Sequence, residues 1–239
     1  MAELSNKNII VAGGTSGIGL SITSLCASLG ANVWAIGRSQ EYIDKAKEEV
    51  SGNVTFVSLD IHDTSALQAL FKEVGTIDHL ACNATGANRT IAPFMKQTAE
   101  QFQEAFGKFW GYTNVVREAI PFIADTGSIT LTSGTPARKA RPGQISLSCV
   151  GSAVEAFTRA LAPEVAPIRV NVVAPGIIDT TMYSWMGDKK DEQLANLTQK
   201  FPAKRAGDPG EVASAIVFLM QNDYVTGSTI DVDGGLLLS

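Results

Sequence analysis

The sequence predicts an α/β fold, a doubly wound and seven-stranded parallel sheet with helices on both of its faces. Short apolar runs rich in Val and Ile alternate with longer amphipathic stretches along the chain. Strands that are buried on both faces have that composition. Regular alternation of strands and helices is typical of βαβ units, whose strands are parallel. The 239 residues show no repeat and no linker-like change of composition, so we expect a single domain over residues 1–239.

Each element of this prediction rests on a local pattern. The predicted strands are Asn8–Ala12, Asn32–Ile36, Val54–Ser58, Ile77–Cys82, Ser128–Thr132, Arg169–Val173 and Thr229–Val232. The predicted helices are Gly17–Leu29, Glu41–Val50, Ser65–Glu73, Ala99–Ile120, Ser146–Glu164 and Pro209–Met220. Pro209 follows Asp208, a good N-cap, at the first helical position. The basic segment Gly134–Gly143 and the long, partly helical segment Tyr183–Gly207 are either lids beside a ligand site or solvated surface loops.

Composition argues against several classes of function. The net charge of -5 disfavours nucleic-acid binding, which needs Lys and Arg to neutralise phosphates. No apolar run approaches the ~20 residues of a membrane helix, and the N-terminal sequence lacks a signal-peptide pattern. The cysteines, Cys26, Cys82 and Cys149, and the histidines, His62 and His79, show no metal-ligand or disulfide spacing. We expect free, buried thiols in a cytoplasmic protein that binds neither a metal, a membrane nor nucleic acid.

A glycine-rich turn follows the first predicted strand and opens the first predicted helix. Its residues are Gly13, Gly14, Thr15, Ser16, Gly17, Ile18 and Gly19. Glycines allow the chain to turn sharply and to approach a pyrophosphate closely. The helix N-terminus then offers N–H groups and a partial positive charge to the phosphates. Between a first strand and a first helix, this pattern predicts a Rossmann-type dinucleotide site rather than an ordinary turn.

The end of the second predicted strand indicates which dinucleotide is bound. An NAD site has a carboxylate there that holds the ribose 2′-hydroxyl, whereas this chain has Arg38 and Ser39. A guanidinium can donate two charge-assisted hydrogen bonds to a phosphate. We therefore predict that Arg38 and Ser39 bind the 2′-phosphate of NADP(H). The alternative is that Arg38 is a surface residue at a strand end.

With these motifs, the sequence resembles the short-chain dehydrogenase/reductase family nearly from end to end. Gly13, Gly17 and Gly19 fit the family's glycine turn, although Ala12 stands where Thr is common. Five more segments are similar to family motifs: Asp60-Ile61, Cys82-Asn83-Ala84-Thr85, Pro175-Gly176-Ile177-Ile178-Asp179-Thr180, Val225-Thr226-Gly227 and Asp231-Val232-Asp233-Gly234-Gly235. The second of them is a degraded form of the family's Asn-Asn-Ala-Gly.

The resemblance implies further cofactor contacts and an assembly. Asp60 and Ile61 would contact the adenine, Asn83 would brace the sheet, and Ile178 and Thr180 would hold the nicotinamide carboxamide. The remaining implied contacts are Ala84, Thr85, Thr132, Pro175 and Gly176. The family also implies a homo-oligomer, commonly a tetramer, in which the helices Ala99–Ile120 and Ser146–Glu164 pack across an interface. Their apolar stripe, Val154, Phe157 and Leu161, is equally compatible with packing inside one chain.

The catalytic residues of the family are replaced in this chain. The family uses an Asn, a Ser, a Tyr and a Lys, the last two being four residues apart on one helix face. Aligned without gaps, these positions fall on Lys108, Gly134, Leu147 and Gly151. A slip in the alignment does not restore the motif, because no tyrosine lies between Tyr112 and Tyr183. Neither a leucine nor a glycine can perform acid–base chemistry.

Two functional hypotheses remain open. The chain is either an NADP(H)-dependent oxidoreductase with another proton donor, or an NADPH-binding sensor or structural protein without turnover. The candidate donors are Lys108, Ser133 and Ser148, although Ser148 is rotated ~100° from the lost Tyr and Lys108 can equally face solvent. Losing acid–base catalysis typically costs ~10²–10⁴ in rate, and positioning of the reactants survives that loss.

The substrate is not identified by the sequence. Arg138, Lys139 and Arg141 either attract an anionic substrate or belong to a solvated loop. The aromatic and sulfur-containing side chains near Met182, Tyr183 and Trp185 either contact a partly apolar ligand or pack in the core.

Overall fold

The computed structural model describes residues 3–85 and 90–239, and it contains the predicted sheet. The strands are β1 Asn8–Ala12, β2 Asn32–Gly37, β3 Val54–Ser58, β4 Ile77–Cys82, β5 Ile123–Thr132, β6 Arg169–Pro175 and β7 Thr229–Val232. They pair in parallel throughout, in the order β3-β2-β1-β4-β5-β6-β7. The strand order reverses between β1 and β4, which is where doubly wound sheets bind ligands.

The helices also lie where the sequence predicts them. They are α1 Gly17–Ser28, α2 Gln40–Glu49, α3 Thr64–Val74, α4 Ala99–Ala119, α5 Ile145–Glu164, α6 Lys190–Thr198 and α7 Pro209–Gln221. Capping boxes formed by Thr98 and Asp208 begin α4 and α7, satisfying N–H groups that a helix cannot satisfy itself. The helix α6 lies inside the segment predicted to be partly helical. Within the described residues, no helix combines the length and apolar character required to cross a bilayer.

The strand β5 begins five residues before its predicted start at Ser128. Its first residue, Ile123, pairs with Ile77, and the register then shifts before Ser128 pairs with His79. The intervening Asp125-Thr126-Gly127 has the composition of a turn, which is why the sequence predicts a later start. Gly127 lies so close to β4 that a Cβ would be 2.6 Å from the carbonyl oxygen of Asp78.

The sheet is covered on both faces by apolar side chains. On one face, Phe71 of α3, Tyr112 of α4 and Val154 of α5 belong to one buried cluster. On the other face, Ile22 of α1 and Ile216 of α7 belong to a second cluster. Each large side chain that is fully removed from water contributes roughly 1.5–3 kcal/mol before entropic costs. The predicted arrangement of helices on both faces is therefore confirmed.

Candidate cofactor and active site

The glycine turn between β1 and α1 is too tightly packed for other residues. Gly13 and Gly14 both donate their N–H groups to the carbonyl of Ile36, at 2.8 and 3.0 Å. Gly13 has a φ of +82°, and a Cβ on it would lie 2.5 Å from the backbone nitrogen of Ala84. A Cβ on Gly19 would lie 1.7 Å from the carbonyl oxygen of Gly13. Only glycine is compatible with such contacts, and a backbone without side chains is one that a ligand can approach closely.

The start of α1 is suited to an anion. Its N-cap residue, Ser16, makes no side-chain capping hydrogen bond, and the first turn carries no acidic residue. The N–H groups and the positive end of the helix dipole therefore favour a negatively charged ligand. A cradle of this kind, lined by backbone, fits the pyrophosphate of a dinucleotide.

Arg38 and Ser39 lie where β2 ends. The guanidinium of Arg38 is 3.7 Å from the carboxylate of Asp60, and its side chain is 53% exposed. An exposed pair of this kind is worth at most ~1 kcal/mol, so a phosphate can replace Asp60 as the partner of Arg38. Ser39 also has a structural role that the sequence analysis missed, because its Oγ accepts a hydrogen bond from the backbone N–H of Tyr42 at 3.4 Å.

The predicted adenine residues follow β3. A carboxylate oxygen of Asp60 accepts a hydrogen bond from the N–H of His62 at 3.0 Å, which orients the side chain. Ile61 is buried against α4, where a Cβ on Gly111 would lie 2.3 Å from its Cδ1. Asn83, after β4, donates its backbone N–H to the carbonyl of Ala12 at 2.8 Å. Its backbone therefore extends the pairing of β4 with β1 beyond the strand end.

The residues predicted to surround the nicotinamide lie at the ends of β5 and β6. Thr132 is buried, and its Oγ1 has no hydrogen-bond partner among the described residues. A Cβ on Gly17 would lie 3.4 Å from the Cβ of Thr180, so the segment after β6 contacts the glycine turn. A Cβ on Gly176 would lie 2.7 Å from the Cα of Asp233. Ile178 is buried and bridges to Gly207.

Of the four positions assigned to the family's catalytic residues, Lys108 and Gly134 lie near the end of β5, whereas Leu147 and Gly151 belong to α5. Lys108 of α4 donates from Nζ to the carbonyl of Ser133 at 3.2 Å, and the same Nζ lies 5.4 Å from the ring centroid of Tyr112. Gly134 follows Ser133 in the chain. Leu147, like the neighbouring Ser148, is half-buried on α5.

Gly151 of α5 is buried by the segment that follows β5. The 3-10 turn Thr135–Ala137 packs on the helix, and a Cβ on Gly151 would lie 3.0 Å from the Cβ of Ala137. The carbonyl of Ala137 accepts a hydrogen bond from the Oγ of Ser152 at 3.0 Å. The absence of a side chain at position 151 therefore permits this close packing.

The sequence analysis missed Glu155, a buried carboxylate one helical turn beyond Gly151. It accepts a hydrogen bond from the Oγ of Ser133 at 3.0 Å and lies 3.5 Å from the Nε of Arg138. Arg138 also donates to Asp231 of β7 at 2.8 Å, and this hydrogen bond raises the pKa of its guanidinium. The only sequence signal for Glu155 was an acid beside Val154 in an apolar helical stripe.

Several expectations about individual side chains are corrected. Of the basic residues after β5, Arg138 is exposed and donates to Asp231, and Lys139 donates to the carbonyl of Leu236 at 3.1 Å. Cys149 is exposed rather than buried. Cys26 and Cys82 are buried as expected, and burial raises the pKa of Cys26 to about 12. Met182 and Trp185 are exposed, so of the two alternatives for these side chains, packing in the core is excluded.

Comparison with known proteins identifies the family. The family described as enoyl-(acyl carrier protein) reductase matches residues 12–237. The chain is 36% identical over 249 residues to the 3-oxoacyl-[acyl-carrier-protein] reductase FabG of Chlamydia muridarum, with 98% of each chain covered. The chain therefore belongs to the short-chain dehydrogenase/reductase family.

Solved structures of the same fold include unusual enzymes. The reductase/Diels-Alderase MalC from Malbranchea aurantiaca is 28% identical, with a TM-score of 0.90 and coverage of 99% of this chain and 97% of that one. An NADPH-bound short-chain oxidoreductase from Pseudomonas aeruginosa, described as containing an atypical catalytic center, is 27% identical. Its TM-score is 0.92, and the match covers 99% of this chain and 98% of that one.

Proposed function

We propose that the protein is an NADP(H)-dependent oxidoreductase that transfers hydride between the cofactor and a small carbonyl or related substrate, using a non-standard proton donor. The observation that carries this proposal is the contact between the glycine turn and the segment after β6, at Gly17 and Thr180. This contact supports the proposal, because the glycine turn proposed to hold the pyrophosphate then adjoins Thr180, which is proposed to hold the nicotinamide. The family membership and the NADPH-bound structure of a similar protein support it.

The residues of the chain bind the two halves of NADP(H) by different means. The turn Gly13–Gly19 and the start of α1 hold the phosphates, and Arg38 binds the 2′-phosphate. The nicotinamide half is held by Thr132, whose buried Oγ1 lacks a partner among the described residues, and by Ile178 and Thr180. When bound, the cofactor supplies or accepts the hydride.

The positions of the family's catalytic residues make this enzyme atypical. Leu147 and Gly151 occupy the Tyr and Lys positions, and neither side chain can hold an exchangeable proton. Lys108 is the strongest replacement, because its hydrogen bond to the carbonyl of Ser133 places an ammonium group at the end of β5. There it can donate a proton to a substrate oxygen as hydride reaches the adjacent carbon. Ser133 is a weaker candidate, since its hydroxyl donates to Glu155.

The experiment that tests this function combines binding with turnover. The protein is titrated with NADPH and NADH by calorimetry, and NADPH oxidation is then followed against a panel of aldehydes, ketones and conjugated carbonyl compounds. We expect NADPH to bind more tightly than NADH and at least part of the panel to be reduced. Tight NADPH binding without turnover of any compound would favour the alternative, a sensor or structural protein. Failure to bind either nucleotide would refute both.

The role of Lys108 is tested by substitution. We expect Lys108→Met to reduce kcat by ~10²–10⁴ and to leave the NADPH dissociation constant unchanged. Lys108→Arg should remain slow although it keeps the charge, because a guanidinium does not release its proton in this pH range. Lys96→Met, which removes an exposed lysine before α4, is the matched control. Wild-type kcat in Lys108→Met would contradict the assignment.

We further propose that this single domain forms a cytoplasmic homo-oligomer, a tetramer by resemblance to the family. The helices α4 and α5 contact each other through Phe109 and Phe157, whose rings meet edge to face at 5.8 Å. Beside them, Trp110 is 57% exposed, and we propose that a partner subunit covers its indole. Light scattering coupled to gel filtration checks the assembly, and Trp110→Glu should shift the protein towards smaller species. An unchanged mass in that variant would argue against this interface.

A further inference from the structure

We propose that Glu155 and Arg138 are positioning residues for the nicotinamide half of the cofactor, so that a charge cluster replaces the fixed Tyr–Lys pair in shaping this part of the site. The charge cluster consists of Ser133, Arg138, Glu155 and Asp231. This inference rests on the proposed function, because it concerns how the same site is held in its working shape.

Glu155 is a buried carboxylate. Its side chain is 7% exposed, and a carboxylate in such a position is costly unless charged or hydrogen-bonding groups surround it. Glu155 has both, the Ser133 hydroxyl at 3.0 Å and the Arg138 Nε at 3.5 Å. Replacing only one partner would leave the others incompletely satisfied, so the group acts as a unit.

The charge cluster joins separate elements of the fold. Ser133 directly follows β5, Glu155 belongs to α5, and Asp231 belongs to β7. Arg138, which follows the 3-10 turn after β5, contacts both carboxylates. The cluster therefore fixes the segment after β5 against the helix on one side and against the sheet on the other. This segment is the one that closes over Gly151.

The charge cluster lies close to the residues that are predicted to hold the nicotinamide. Ser133 directly follows Thr132, and Asp231 is paired in register with Ala174, immediately before Pro175. Glu155 lies four residues after Gly151, so both face the same side of α5. Ser133 is thus next to the end of β5 in the chain, and Asp231 is next to the end of β6 in the sheet. Arg38, in contrast, follows β2, which lies on the other side of β1 in the sheet.

The test compares NADPH with 2′,5′-ADP, which contains the adenosine 2′-phosphate half and no nicotinamide. The ratio of the two dissociation constants measures what the nicotinamide half contributes to binding, without any need for a substrate. Both ligands are titrated into the full-length protein and into E155Q, R138M and D231N. The control is E164Q, which removes an exposed carboxylate at the end of the same helix.

We expect E155Q and R138M to weaken NADPH by about fivefold or more and to change the affinity for 2′,5′-ADP by less than about twofold. D231N should have a smaller effect, because Arg138 keeps Glu155 as a partner. E164Q should change neither ligand. Fluorescence of the bound nicotinamide should fall in E155Q, since a displaced ring is more exposed to water. E155Q is nearly isosteric, so it carries the test if R138M fails to fold.

The outcomes separate this inference from the proposed function. If the wild-type protein binds NADPH no more tightly than 2′,5′-ADP, the nicotinamide is not held and the proposed function fails. If the wild-type protein prefers NADPH and E155Q keeps that preference, the positioning role is overturned while the proposed function stands. Equal losses for both ligands in E155Q would show a general structural role and would also overturn the inference.

Discussion

Because Ala137 packs on Gly151, a side chain introduced at position 151 should change the free energy of unfolding by a predictable amount. The first atom of any side chain at position 151 would lie 3.0 Å from the Cβ of Ala137 and 3.5 Å from its Cα and N. Crowding of this kind in a well-packed region typically costs ~1–3 kcal/mol. Replacing a glycine inside a helix by alanine gains ~1 kcal/mol from helix propensity. We therefore expect Gly151→Ala to lower the free energy of unfolding by between zero and about 2 kcal/mol.

A double-mutant cycle separates the free energy of the contact between positions 137 and 151 from the other effects of each substitution. Ala137→Gly removes the crowded atom, so Gly151→Ala in that background should stabilise the protein by the propensity gain of ~1 kcal/mol. The coupling free energy between the two substitutions should thus be about 1–3 kcal/mol. It is measured from urea unfolding of the wild type, both single variants and the double variant. A coupling below about 0.5 kcal/mol would refute the reasoning, because the two sites would then be independent.

The same contact determines how a restored active site should behave. Leu147→Tyr combined with Gly151→Lys should yield less carbonyl reductase activity than the same pair combined with Ala137→Gly. In the first protein the new lysine must displace the segment after β5, whereas in the second it has room. Initial rates at saturating NADPH measure the difference. Equal rates in the two proteins would show that this segment does not limit access of a lysine to the site.

Three further predictions concern the cofactor and the stability. Arg38→Ala should weaken the binding of NADPH by about 10–100-fold, because it removes charge-assisted hydrogen bonds worth ~1.5–3 kcal/mol, and should leave the binding of NADH unchanged. Calorimetry measures both affinities, and an equal loss of affinity for NADH would exclude the role of Arg38 in binding the 2′-phosphate. Gly19→Ala should abolish binding of both nucleotides, measured by the same titration, because its Cβ would lie 1.7 Å from a backbone oxygen. His79 is buried beside the Ser128 hydroxyl at 2.9 Å, and burial lowers its pKa from 6.5 to about 4. The unfolded chain binds this proton more readily than the folded protein does. The contribution of His79 to the free energy of unfolding is therefore fully present above pH 6.5 and is lost as the pH falls towards 4. The loss approaches roughly 3 kcal/mol at ~1.4 kcal/mol per pH unit. Urea unfolding at several pH values should show this slope, and His79→Gln should reduce it; an unchanged slope in that variant would rule out His79 as the origin.

The sequence alone predicted those features whose physical cause is local. Strands buried on both faces are recognisable in the sequence as short Val- and Ile-rich runs, and capping residues such as Asp208 indicate where helices begin. The glycine turn is recognisable because the backbone conformation and the close approach it needs exclude side chains, as the contacts of Gly13 and Gly19 show. Arg38 was found because its position is defined by distance along the chain from that turn.

The tertiary structure decided everything that depends on which distant residues meet. Arg138 and Asp231 are 93 residues apart in the sequence, and no local pattern indicates that Arg138 contacts both Asp231 and Glu155. A buried acid on an amphipathic helix resembles an ordinary polar residue until the partners that neutralise it are known. Likewise, the sequence shows that position 151 is a glycine but does not show what lies next to it. The fold shows that Ala137 occupies the space, because packing of the segment after β5 on α5 is a property of three-dimensional shape and not of chain order.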